Sequence, residues 1–133
     1  MHFFYYDLTG FEDQETVKLA SEYSKAFQDK WGTPPDAYAT IAYIAVQELF
    51  AAVERAGSFE PAAIKKAIDD NPEFMTVKGP ARWREDHEPV YEYAGFLVRG
   101  KGPKEAKHKF DYFEVVSVQG GEKVFPPLSE LGF

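Results

Sequence analysis

Apolar residues recur at helical spacing from the start of the chain's middle section. Val17, Ala20, Tyr23, Ala26 and Phe27 fall three or four positions apart, and Lys18, Glu22, Lys25 and Asp29 occupy the opposite side. That pattern predicts an amphipathic helix. Glu12, Asp13 and Glu15 place acid in its first turn, where the helix dipole favours negative charge, and Gly32 ends it. A second helix is expected from about Asp36 to Ala56. Its apolar positions, among them Ile41, Ile44, Val46, Leu49, Phe50 and Val53, cover more than one face. A helix apolar nearly all round is expected to be packed on several sides. Gly57 caps it. A third helix starts at Glu60-Pro61, carries Ala62, Ile64, Ala67 and Ile68, and ends near Asp70-Asn71-Pro72.

The period then shortens. From Thr76 onward the chain reads as strands: a turn at Lys78-Gly79-Pro80, a brief strand over Ala81 to Arg84, a second over Tyr91 to Arg99 and a third over Phe110 to Val118. Gly120-Gly121 reads as a turn, Pro126-Pro127 closes the regular structure, and Leu128 to Phe133 is a short tail. Between the last two strands, Gly100 to His108 is polar and glycine-rich, so a surface excursion. At the other end, the aromatic run His2 to Tyr6 predicts a strand that Thr9-Gly10 breaks. The fold class is therefore α/β, with three helices followed by a small sheet. The opening strand has no sequence-adjacent partner, and a helix buried on several sides needs layers that a small sheet does not supply. We expect residues 1–133 to be a single incomplete domain, a piece of a larger α/β protein.

Composition narrows the classes. The 133 residues carry 15 Lys and Arg against 22 Asp and Glu, a net charge of −7, with no basic run. That argues against a nucleic-acid partner, which needs a basic face. No apolar run reaches the roughly 18 residues of a membrane span. Met1 to Asp7 lacks the basic start and cleavage pattern of a signal peptide. With no Cys, disulfides and thiolate metal sites are excluded, while the compartment stays open. Twelve Phe and eight Tyr imply a ring-rich core or aromatic surface meant for a partner.

Motifs for catalysis are missing: there is no Gly-x-Ser-x-Gly elbow, no Walker loop and no Gly-x-Gly-x-x-Gly. His2, His87 and His108 are scattered, which favours a solvated role over metal ligation. Glu85-Asp86-His87-Glu88 could be read as a cation site, but contiguous residues in a turn rarely converge on one ion, and an exposed turn between strands is the simpler reading. Asp69-Asp70-Asn71 reads as a helix end. No cofactor is expected. Trp31 and Trp83 are expected to pack, and so is Tyr43. Tyr5 and Tyr6 alternate across a strand, so one should face in and the other out. Tyr38 sits in the first turn of the second helix, just after Trp31-Gly-Thr-Pro-Pro-Asp36, and has two open readings: a core ring or the wall of a ligand cleft.

The ordered set Phe27-x-x-Lys30-Trp31-Gly32-Thr-Pro-Pro35-Asp36, Ala37-Tyr38-Ala39, Ala42-Tyr43-x-Ala45-Val46 and Ala51-Ala52-Val53-Glu54-Arg55-Ala56-Gly57 resembles the C-terminal part of the type I periplasmic solute-binding proteins. This is the branched-chain amino-acid (Leu/Ile/Val) receptor family of ABC transporters. Ala63 to Ile68 and Thr76 to Trp83 continue the likeness in the family's order. The resemblance implies a two-lobed parent of which this chain is roughly the last third. It implies that the parent binds a small amino acid, or a related carboxylate or amide, by lobe closure and docks on a membrane permease in the periplasm. The segments that hold the ligand's amino and carboxylate groups in the family are absent here. The position matching Tyr38 offers an aromatic wall, which favours the cleft reading for Tyr38. Tyr6, in the stretch that resembles a crossover between lobes, is the second candidate. The resemblance also implies no enzymatic activity. The alternatives are a ligand-sensing domain of a receptor or regulator, and a small α+β enzyme with an aromatic pocket. As a fragment, the chain is expected to hide its apolar helix and strands by forming a homo-oligomer.

Overall fold

The computed structural model describes residues 12–133. Tyr5, Tyr6, His2 and the strand expected around them lie outside the described residues. Helix α1 spans Gln14–Trp31, α2 Ala37–Ala56 and α3 Pro61–Asp70. Strands β1 (Glu73–Thr76), β2 (Gly79–Trp83) and β3 (Pro89–Tyr91) follow, then β4 (Gly95–Gly100) and β5 (Phe113–Gln119). Two single turns of helix, α4 (Gly121–Val124) and α5 (Leu128–Leu131), end the chain. The α/β class and the order of three helices before the strands are as expected.

Helix ends follow local chemistry. Asp13 caps α1 by accepting from the backbone N–H of Glu15 and Thr16. Gly32 closes it with φ 75°, in the left-handed region that glycine enters freely, and its N–H donates to Gln28 O at 2.8 Å. Asp36 caps α2 and Gly57 closes it at φ 58°. Pro61 opens α3, where its missing N–H costs nothing.

The strands depart from the sequence reading. Instead of one small sheet there are two: a three-stranded antiparallel sheet in the order β1-β2-β3, and a separate antiparallel ribbon β4-β5. The single strand expected over Tyr91 to Arg99 is broken at Glu92–Ala94, so its two halves join different sheets. The turn expected at Lys78-Gly79-Pro80 lies one step earlier, at Val77-Lys78, because Gly79 already pairs with Thr76. The ribbon is kinked by a bulge: Leu97 pairs with Ser117 and Val98 with Val115, which leaves Val116 unpaired. Gly120-Gly121 is the start of α4 rather than a turn.

The core lies where α1, α2 and the three-stranded sheet meet. Tyr23, Ile44 and Val77 are buried there, with Leu19, Phe27, Phe74 and Tyr91 packed around them. Phe74 and Trp83 stack at 5.4 Å between ring centres, as expected for Trp83. Only one side of α2 is buried, along Thr40, Ile44, Glu48 and Ala52. The expectation that α2 is packed on several sides is therefore wrong for this chain. Its other side, including Ile41, Val46, Leu49 and Phe50, is exposed.

Candidate ligand-contacting site

The junction between α1 and α2 is held by a short chain of hydrogen bonds. The Asp36 carboxylate accepts from the Ala39 N–H at 2.7 Å. The Asp36 carbonyl accepts from the Thr40 backbone N–H and from the Thr40 hydroxyl at 2.8 Å. Because the Thr40 proton is used there, Tyr23 Oη donates to Thr40 Oγ1, at 3.3 Å. Tyr23 is buried, which pushes its phenol up from the ordinary value. The Tyr23 ring stacks on Tyr43 at 4.5 Å. The start of α2 is thus fixed against α1 by groups that are themselves buried, since Thr40 is 1% exposed.

Tyr38 projects from this fixed turn and is 77% exposed. Tyr38 is not part of the core formed by the described residues. Tyr43, expected in the core, is half out: one ring face covers Tyr23 while the hydroxyl accepts from Gln47 Nε2 at 2.9 Å. Trp31, expected to pack, is also exposed. Its ring contacts Phe27 at 6.3 Å and lies under the Lys30 ammonium at 5.1 Å. The two exposed rings, Trp31 and Tyr38, flank the same Pro34-Pro35 turn. Such a surface can supply apolar contact and stacking.

Glu85 to Glu88 form the connection between β2 and β3. Arg84 grips Asp86 through two bonds, at 2.9 and 2.5 Å, and this holds the Asp86 carboxyl below its ordinary range. Arg84 also donates to Pro126 O at 2.9 Å, which ties the C-terminal segment to the turn. Among the described residues, no cluster of three or more His, Cys, Asp or Glu could hold a metal ion.

Two features went unnoticed in the sequence. An open groove of about 820 Å³ runs between α3 and the β2–β3 turn, lined by Leu49, Ile64, Ile68, Trp83 and His87 among others. Glu48 is the second: it is buried within the apolar stretch of α2 and bonded to Arg55 at 2.7 Å. The i to i+7 spacing of Glu48 and Arg55 is two helical turns and was the readable signal for that pair.

Comparison with known proteins bears on this geometry. A family model for periplasmic binding proteins matches residues 4–103. The Leu/Ile/Val-binding protein homolog 1 of Brucella abortus (strain 2308) is 35% identical over 102 residues, covering 77% of this chain and 26% of that protein. Its counterpart in Brucella suis is 34% identical over 94 residues. A branched-chain amino-acid ABC transporter periplasmic ligand-binding protein from Burkholderia xenovorans LB400 superposes with a TM-score of 0.75 at 28% identity, over 96% of this chain and 31% of that one. A periplasmic binding protein from Burkholderia mallei has the same fold, at a TM-score of 0.73 and 22% identity over 90% of this chain and 30% of that one. The chain thus spans about a quarter of the length of the curated relatives it matches. No helix among the described residues is long and apolar enough to cross a membrane. The match over most of the chain, with the fold it predicts, shows that this chain belongs to the periplasmic binding protein family.

Proposed function

We propose that this chain is part of an extracytoplasmic solute-binding component of an ABC transporter, specific for a branched-chain amino acid or a related small carboxylate or amide. It forms one incomplete domain of a two-lobed receptor that docks on a membrane permease and carries out no chemistry. Tyr38 carries the reading: a large ring, 77% exposed, on a helix start fixed by Asp36, Thr40 and Tyr23. The backbone that carries the ring is already ordered, so little backbone entropy is lost when a ligand packs on it. Its ring suits an aliphatic side chain, and the polar ends of the ligand are bound by other segments of the receptor. The Brucella and Burkholderia relatives support the substrate class through their names. Self-association of the chain belongs to the same reading, and the apolar side of α2 supports it.

The test is aromatic NMR of the two-lobed receptor that contains this chain, titrated with L-leucine, L-isoleucine and L-valine, beside Tyr38→Ala. The Tyr38 ring signals should move with these ligands, and Tyr38→Ala should abolish the response without changing thermal stability. An unmoved Tyr38, or shifts confined to the α3 groove, would overturn the assignment.

A further inference from the structure

Tyr23 belongs to α1, and the hydrogen bond and ring stack that join α1 to α2 at this junction are both made by its side chain. Its hydroxyl donates to Thr40 Oγ1 at 3.3 Å, and its ring lies 4.5 Å from that of Tyr43. The other bonds of the network lie inside α2 and its cap. The Asp36 carboxylate accepts from the Ala39 N–H, and the Asp36 carbonyl accepts from the Thr40 hydroxyl. Those bonds make the first turn helical, but they do not decide which way the turn faces. A contact from outside the helix is needed for that, and Tyr23 supplies two. Tyr23 and Thr40 are 8% and 1% exposed and belong to this one chain, so the bridge stands whatever else packs on α2.

A helix turns by 100° per residue, so Tyr38 and Thr40, two positions apart, point in nearly opposite directions, about 200° round the axis. Thr40 is gripped from α1 while Tyr38 is presented on the far side. The centre of such a ring lies roughly 8 Å from the helix axis, so a roll of about 10° in this turn would carry it by about 1.4 Å. A displacement of that size is enough to spoil a packing contact. Packing alone does not account for the Tyr23 hydroxyl, because Tyr23→Phe would fill nearly the same space. What Tyr23→Phe would lose is the donor to Thr40, whose own proton is spent on the Asp36 carbonyl.

We propose that Tyr23 is a positioning residue for ligand contact by Tyr38: its hydroxyl, acting through Thr40, sets the direction in which α2 presents the Tyr38 ring. Tyr23 acts at a distance, and its role rests on the assignment of Tyr38 as a ligand contact. The hydrogen bond sets the ceiling on the effect. Its net worth corresponds to about a two- to tenfold change in an equilibrium, and no more than that can reach the ligand.

The experiment uses the two-lobed receptor that contains this chain. L-leucine binding is measured by titration calorimetry, and the Tyr38 ring is followed by NMR before ligand is added. Tyr23→Phe and Thr40→Val should each shift the Tyr38 signals of the ligand-free receptor and weaken L-leucine by about three- to tenfold. Together they should cost no more than either alone, because they break the same bond. Thr40→Ser keeps the hydroxyl and should keep the affinity. A Tyr23→Phe receptor that melts earlier but binds L-leucine as before would show a role in stability alone and overturn the proposal. So would unmoved Tyr38 signals, additive losses in the double variant, or a Thr40→Ser receptor as weak as Thr40→Val. If the parent receptor binds none of L-leucine, L-isoleucine and L-valine, the ligand assignment fails by itself, and Tyr38 signals that move in Tyr23→Phe still support the positioning.

Discussion

Asp13 joins the start of α1 to the segment that carries Tyr93, and removing its carboxylate tests how the fold is held. It accepts from the Glu15 and Thr16 N–H groups at 3.0 and 3.1 Å, from the Thr16 hydroxyl at 2.6 Å, and from Tyr93 Oη at 3.1 Å. Asp13→Ala removes a helix cap, which costs about 1 kcal/mol. It also leaves the Thr16 hydroxyl, on a residue 1% exposed, without its acceptor, a further 1–2 kcal/mol or so. Tyr93 is partly exposed and can turn to water, so its share is small. The total is about 2–3 kcal/mol, or a fall of roughly 1 M in the urea midpoint. The pH dependence follows from the same contacts. The Thr16 hydroxyl, and then the Thr16 N–H, hold the Asp13 carboxyl below its ordinary 3.8. Its stabilisation is complete above 3.8 and is lost as pH falls through the lower folded value. The gap between parent and variant should therefore be constant near neutrality and close in acid. Tyr93 has the opposite sign. Burial first, then its bond to Asp13, push its phenol from 10.0 up to about 12. Its contribution is complete below pH 10 and is lost as pH rises towards 12. Urea unfolding followed by circular dichroism from acid to pH 8, with ultraviolet titration of the phenols, would measure both. A cost under about 0.5 kcal/mol, or a Tyr93 that titrates near 10, would refute the argument.

Other perturbations test neighbouring contacts. Gly79→Ala places a Cβ 2.4 Å from the Tyr93 ring at a residue with φ 99°, so it should destabilise by about 2 kcal/mol or more and move the Tyr93 signals in NMR. His87 holds φ 65° in the β2–β3 turn, so His87→Gly should raise the melting midpoint by up to about 1 kcal/mol equivalent. Arg55→Met strands the Glu48 carboxylate, whose side chain is 7% exposed. With Arg55 itself 30% exposed, the cost should be about 2 kcal/mol in urea unfolding, short of that for a fully buried pair.

Much of the helical half was legible because its signals are local. Asp13, Gly32, Asp36, Gly57 and Pro61 each act on backbone groups within a turn of themselves, and the helix boundaries fell where they stand. Strand partners were less legible. The break at Glu92–Ala94 has no strong turn residue. What separates β3 from β4 is that Tyr91 pairs with Ala81 whereas Gly95 pairs with Gln119, a partner 24 positions along the chain. At the candidate site, sequence placed Tyr38 in the first turn of α2 but left its exposure open. An aromatic residue beside an apolar helix satisfies either environment.

The sequence by itself determined three capped helices in order, a strand-rich second half, an acidic cysteine-free chain and the family to which it belongs. Hydrogen bonds three or four residues apart and short motifs encode these features, and they need no distant partner. Tertiary structure alone decided which side of α2 is buried, how the strands divide between two sheets and that Tyr38 faces solvent. Burial is a property of what lies opposite. Ile44 and Val46 are equally apolar in the sequence, yet Ile44 is buried with Tyr23 and Val77 in the core while Val46 is 50% exposed.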